Sequence, residues 1–105
     1  MIRLSILYPN KPAAKFDREY YLTKHMPMSR RLFGEVLKGV SVEFGINGGL
    51  PDSPPPYLVT CHMLFESLEA FYAAFAPNAA ALQDDILRYT DVEPVIQIGE
   101  VKISQ

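Results

Sequence analysis

His25 is the residue of this sequence whose type and setting best suit proton transfer. It stands in the run Tyr21-Leu22-Thr23-Lys24-His25-Met26-Pro27-Met28. Projected at about 100° per residue it shares an arc with Tyr21, Leu22, Met28, Ser29, Leu32, Phe33 and Val36, the apolar side of a helix. A histidine partly withdrawn from water in this way can hold a pKa useful for moving a proton near neutrality. A nearby hydroxyl, from Tyr21 or Tyr8, would fix its tautomer or hold a substrate oxygen. Met28 and Leu32 are expected to wall the same pocket. The structural alternative is a histidine that donates to a backbone carbonyl near Pro27. The second histidine, His62, alternates with Leu58, Thr60 and Leu64 along an extended segment. It would either line the cavity or sit hydrogen-bonded in a sheet-sheet interface, and the spacing favours the interface.

Other chemistry is thinner. The tyrosines and Phe16, Phe33, Phe71 and Phe75 have the spacing of core residues, a few of which would border an apolar or phenolic ligand. Arg30 and Arg31 fall on a solvated helix face. Asp84 and Asp85 are adjacent on a helix and so point about 100° apart, which argues against a shared acid–base site; with Gln83 and Arg88 they are expected in solvent. Asp91 and Glu93 read as turn and capping residues. Cys61 is the single cysteine and cannot form an internal disulfide, and with two histidines there is no Cys/His cluster spaced for zinc. No glycine-rich phosphate loop is present. A haem would need an axial ligand, which His25 could supply, and a large flat cavity, for which the sequence gives no sign. No cofactor or metal is therefore expected.

These residues need a scaffold, and 105 residues with 49% hydrophobic and 21% charged composition give one domain, spanning 1–105. A formal net charge of -2 offers no footprint for a nucleic-acid backbone. No stretch approaches the ~20 apolar residues of a membrane helix, and Met1 to Asn10 alternate rather than forming a signal-peptide block. The chain reads as soluble and cytoplasmic. Ile2, Leu4, Ile6 and Tyr8 mark a first strand that stops at Pro9-Asn10. Asp17 begins a helix running to Leu37 and bent at Pro27. Val40, Val42, Phe44 and Ile46 form a second strand and Tyr57 to Phe65 a third. The proline-rich loop between them, Asn47 to Pro56, is long enough for a lid or an arm. Ser67 caps a helix carrying Leu68, Phe71, Tyr72 and Phe75. After Pro77, Asn78 is expected to cap a further segment in which Leu82, Ile86 and Tyr89 share a face. Val95 to Ile103 complete a fourth strand.

The order βαββαβ fits an α+β, ferredoxin-like four-stranded antiparallel sheet with both helices on one face. The other face is left bare, and strands two to four are apolar on both alternations. That predicts a homodimer, two sheets face to face.

The residues also carry a resemblance. Tyr8-Pro9-Asn10, then Phe16-Asp17-Arg18-Glu19-Tyr20-Tyr21 and Lys24-His25-Met26-Pro27-Met28, with a tail from Tyr89-Thr90-Asp91 through Pro94 into Gln97-Ile98-Gly99-Glu100-Val101, resemble the EthD family of dimeric α+β barrel proteins over essentially the whole chain. The resemblance implies a ferredoxin-like protomer that dimerises through its sheet. It also implies a setting in oxidative metabolism, since the family takes its name from a gene cluster for degrading ethyl tert-butyl ether. Related barrels include cofactor-free monooxygenases, polyketide cyclases, lactone isomerases and haem-binding members, so the fold offers several functions. Two follow as expectations. One is a cofactor-independent proton-transfer catalyst using His25 and Tyr21 on a small apolar carbonyl or phenolic compound, with Tyr8, Met28, Leu32 and His62 in contact with the ligand. The other is a non-catalytic binding or accessory protein of an oxidative pathway.

Overall fold

Alternation along Ile2–Pro9 (β1) sends Leu4 and Tyr8 to one face and Arg3 and Ser5 to the other. The same parity in Tyr57–Phe65 (β3) buries Val59, Cys61, Met63 and Phe65. The computed structural model describes residues 1–105 and joins these strands with Gly39–Phe44 (β2) and Val95–Glu100 (β4) in one sheet. The order is β2-β3-β1-β4, with every neighbouring pair antiparallel. This is the ferredoxin-like arrangement. Register sets Ile6 opposite Cys61 and Leu4 opposite both Met63 and Ile98, so the apolar parity of β1, β3 and β4 shares a single face. Both helical arms cover that face. No helix is long and apolar enough to cross a membrane.

The first arm starts where the Asp17 carboxylate accepts from the Tyr20 amide at 3.0 Å. It continues as Arg18–Tyr20 (α1), a π turn Tyr21–His25, and Met26–Phe33 (α2). The bend expected from Pro27 takes the form of this wide turn. Proline has no N–H to donate, and its ring would collide with the carbonyl four residues back in a regular α-helix. The Met26 amide instead reaches Tyr21 O, five residues back. The arm ends at Phe33 and not Leu37, because Gly34 takes φ +60, a left-handed stop suited to glycine, before a 3-10 turn Gly34–Val36. Replacing Asp17 by alanine frees the first-turn amide and should cost ~1 kcal/mol, read as a lower urea midpoint at unchanged slope.

In the second arm the Ser67 hydroxyl accepts from the Ala70 amide at 3.1 Å and opens Leu68–Phe75 (α3). Pro77 sits in a 3-10 turn, and Ala79–Ile86 (α4) follows. Asn78 does not cap α4 as expected; its amide turns back and donates to Ala74 O at 2.9 Å.

Two further expectations change. Asn47 to Pro56 is no lid, since it folds on itself through Gly48 N to Ser53 O and ties to Asn10 at the sheet's end. Gly45 follows β2 just before it, and a Cβ there would collide with Tyr57 O, so only glycine admits this close return. The uncovered sheet face is also less apolar than its strands suggested. The Val and Met parities of β2 and β3 point to the helices. Their alternates place Gln97, Ser5, His62 and Ser41 in one row across the bare face, flanked by Leu7, Leu58, Leu64 and Val95.

Candidate functional site

Between the helical arms and the sheet lies a cavity of about 250 Å³, walled chiefly by side chains such as Leu4, Ile6, Met26, Phe33, Met63 and Phe71. Tyr8, Tyr21, His25, Ser29, Cys61 and Gln83 bring polar atoms to it. Ile96, 57% exposed, also lines it on the edge strand, which with the exposed Gln83 marks the mouth.

His25 is buried, and its Nδ1 meets Asp85 Oδ2 at 2.8 Å. The Tyr20 hydroxyl donates to the other carboxylate oxygen at 2.8 Å, and Arg88 Nε lies 3.7 Å from that oxygen. A carboxylate only accepts, so Nδ1 carries the proton and Nε2 presents a lone pair. No enclosed polar side-chain atom in the molecule lacks a partner. Nε2 has none in the protein and His25 lines the cavity, so this lone pair is open to it. The ring is clamped by Tyr21, stacked at 5.6 Å between centroids, and by Tyr89 at 4.7 Å.

Burial pulls the His25 pKa below its ordinary value, and the bond and charge of Asp85 only partly restore it. For Asp85 burial acts upward, but the hydrogen bonds from His25 and Tyr20 and the charge of Arg88 outweigh it and leave the carboxyl below the usual range. At neutral pH the pair is a carboxylate behind a neutral imidazole, the order in which a general base is held by its orienting acid. Burial pushes the Tyr8 phenol up to about 12, against the bond to Tyr89, and the Cys61 thiol up to about 11. Tyr21 and Tyr89 are raised further, again chiefly by burial. These groups stay protonated. Tyr8 and Tyr89 share a hydrogen bond of 2.5 Å, and the Ser29 hydroxyl donates to His25 O at 3.0 Å.

The dyad joins two distant segments, and the chain around it explains how. Asp17 N donates to Tyr89 O at 2.7 Å, Thr90 Oγ1 to Lys15 O at 2.7 Å, and Lys15 N to Asp91 Oδ1 at 3.0 Å. These bonds pin the segment before α1 to the segment after α4, so the two arms meet in fixed register. Asp91, expected as a turn or capping residue, thus ties the two segments together across the fold.

Of the residues the sequence singled out, the structure brings Tyr8, Tyr21 and His25 together at the cavity. Met28 and Leu32 lie outside it, half-buried, and Ser29 and Phe33 take those places. The uniform period places all four on one arc, and after the π turn only its Ser29 and Phe33 side borders the cavity. His62 is not in the cavity either. Its strand parity points it to the bare face, where Nδ1 bonds Ser5 Oγ at 2.9 Å and Nε2 lies 3.7 Å from Glu43. Asp85, expected in solvent, is the residue the sequence reading missed. A signal was present: Leu82, Asp85, Ile86 and Tyr89 have i, i+3, i+4, i+7 spacing, so position 85 lies on the inner arc of α4 and its extension.

The EthD domain family matches residues 13–93. The crystal structure of an EthD-like protein from Ralstonia eutropha JMP134 is 36% identical, with 99% of this chain and 94% of that chain covered at a TM-score of 0.94. An EthD-family protein from Bacillus halodurans C-125 is 24% identical over 96% of this chain and 98% of its own, with a TM-score of 0.74. A ferredoxin-like protein of the DABB family from Mesorhizobium loti MAFF303099 shares the fold at 11% identity and a TM-score of 0.60, covering 98% of this chain and 97% of that one. No curated protein matches the chain.

Proposed function

The chain belongs to the EthD family, and from that premise we propose that it is a cofactor-independent proton-transfer catalyst acting on a small apolar carbonyl or phenolic compound. One observation carries the reading: a neutral His25, held from behind by the Asp85 carboxylate at 2.8 Å, presents Nε2 to an apolar cavity. Substrate enters past Gln83 and Ile96 and places an acidic C–H or O–H against Nε2. The proton moves to Nε2, its bonding electrons stay on the substrate as an enolate or phenolate, and Asp85 stabilises the imidazolium that forms. Return of the same proton to another substrate atom completes an isomerisation; its delivery to a departing hydroxyl completes a dehydration. Tyr21 stacks on the ring and keeps it in plane with this path. The test is hydrogen exchange. Small enolisable ketones and phenols incubated in D₂O should gain deuterium at an acidic carbon in proportion to added protein. A panel that binds but never exchanges would contradict catalysis.

The second reading is a binding or accessory protein of an oxidative pathway such as ether degradation. It is favoured by the absence of any lysine or arginine among the cavity-lining residues, which leaves a developing oxyanion only neutral donors. Tight retention of an unchanged ligand would support it.

We further propose that the working form is a cytoplasmic homodimer that closes the two bare sheet faces on each other. Leu7, Leu58, Leu64 and Val95 on that face supply the apolar contact. Leu58→Glu would bury an unpaired charge there and should convert the dimer to monomer in native mass spectrometry. A stable monomer of the unmodified protein would contradict the dimer.

A further inference from the structure

We propose that the cavity selects uncharged ligands that donate a hydrogen bond, and rejects carboxylates of the same shape. The inference rests on the proposed function only in placing the ligand against His25 Nε2. Its argument is an inventory of the polar atoms the cavity offers. Nδ1 of His25 is committed to Asp85 at 2.8 Å, so Nε2 faces the cavity as an acceptor. The Ser29 hydroxyl donates to His25 O, Tyr8 pairs with Tyr89, the Tyr21 hydroxyl lies against Cys61, and Gln83 stands at the exposed mouth, so every other polar group at the cavity is neutral. No lysine or arginine lines the cavity. The Arg88 guanidinium is held against Asp85 with its side chain 72% exposed.

A ligand drawn in by the apolar walls therefore finds neutral hydroxyl, thiol and amide groups, no cation, and one basic acceptor, a lone pair with a carboxylate behind it. A hydroxyl or an acidic C–H satisfies that partner. A carboxylate meets it lone pair to lone pair, in reach of the Asp85 charge, and loses its water without a compensating cation. At about 250 Å³ the space lies below the range for drug-sized ligands, so a one- or two-ring compound is the appropriate probe.

1-Naphthol and 1-naphthoate differ little in shape and can be titrated calorimetrically into the full-length protein at pH 7.5. Naphthol is expected to bind about 100-fold more tightly than naphthoate, the penalty of an unpaired buried charge. Asp85→Asn removes the charge and lets Nε2 carry the proton, so it should narrow that ratio by about tenfold or more. Equal binding of the two probes by the unmodified protein, a preference for naphthoate, or no measurable naphthol binding would each overturn the proposal. So would an Asp85→Asn protein that folds and keeps the full ratio. Failure of the catalytic reading looks different: naphthol then binds with the expected preference while no substrate exchanges a proton.

Discussion

Replacing His25 by alanine should lower turnover by ~10²–10⁴, the range for loss of a general acid–base group, with the fold intact. The reasoning is geometric. Nε2 of His25 is the one basic acceptor the cavity presents, because the neighbouring phenols and thiol stay protonated and no carboxylate lines it. Without it a substrate can still enter, since the walls that bind it are apolar, and so binding should change far less than the rate. The fold should survive because Asp85 keeps the Tyr20 hydroxyl and the solvent-facing Arg88 as partners. Circular dichroism and urea unfolding check the structure while exchange into D₂O checks the chemistry. Full activity in His25→Ala would remove His25 from the mechanism.

Asp85→Asn should lower turnover by ~10² or more, since the amide no longer holds Nδ1 as the protonated nitrogen and the working lone pair is lost. It should also move the pH profile in a defined direction. In the unmodified protein the base must be neutral, so rate falls on acidification through the His25 pKa, which burial places below about 6.5. Asp85 is the upward influence on that pKa. Removing its charge lowers the pKa further, so residual activity in Asp85→Asn should persist to more acidic pH. Stability follows the same sign. Between its folded and unfolded pKa values the unfolded chain binds more protons at His25, and stability is lost as pH falls below about 6.5. The depressed Asp85 carboxyl adds stability present above its unfolded pKa and lost as pH falls through its folded one. An acid limb that moves to higher pH in Asp85→Asn would contradict this coupling.

Much of the fold was legible because strand parity is a strong signal. Tyr57 to Phe65 alternates so regularly that its limits agree with β3, and Asp17 and Ser67 mark helix starts where their side chains cap. Legibility failed where a local event changed the phase. A single helical period from Tyr21 onward puts Met28, Ser29, Leu32 and Phe33 on one arc, whereas after the π turn before Pro27 only Ser29 and Phe33 of these line the cavity. The choice of His62 as a ligand contact failed on parity: Cys61, one residue away, faces the cavity and His62 faces the opposite side. Asp85 was passed over because a carboxylate on an apolar arc looks like a solvent residue until its partner is known. That partner, His25, is 60 residues distant in the chain, a separation that no local pattern reports. The apolar character assigned to both sheet faces is full only on the helix side; on the bare side Leu7, Leu58, Leu64 and Val95 flank a polar row.

Proton abstraction at the cavity needs a neutral His25 with its proton on Nδ1, and ring nitrogen NMR reads both properties directly. The chain has two histidines, and a His62→Asn protein assigns the signals. The His25 resonances should show the Nδ1–H tautomer and titrate below about 6.5, with the Nδ1 shift altered in Asp85→Asn. An Nε2–H tautomer, or a pKa above 6.5, would contradict the base that the cavity is built around.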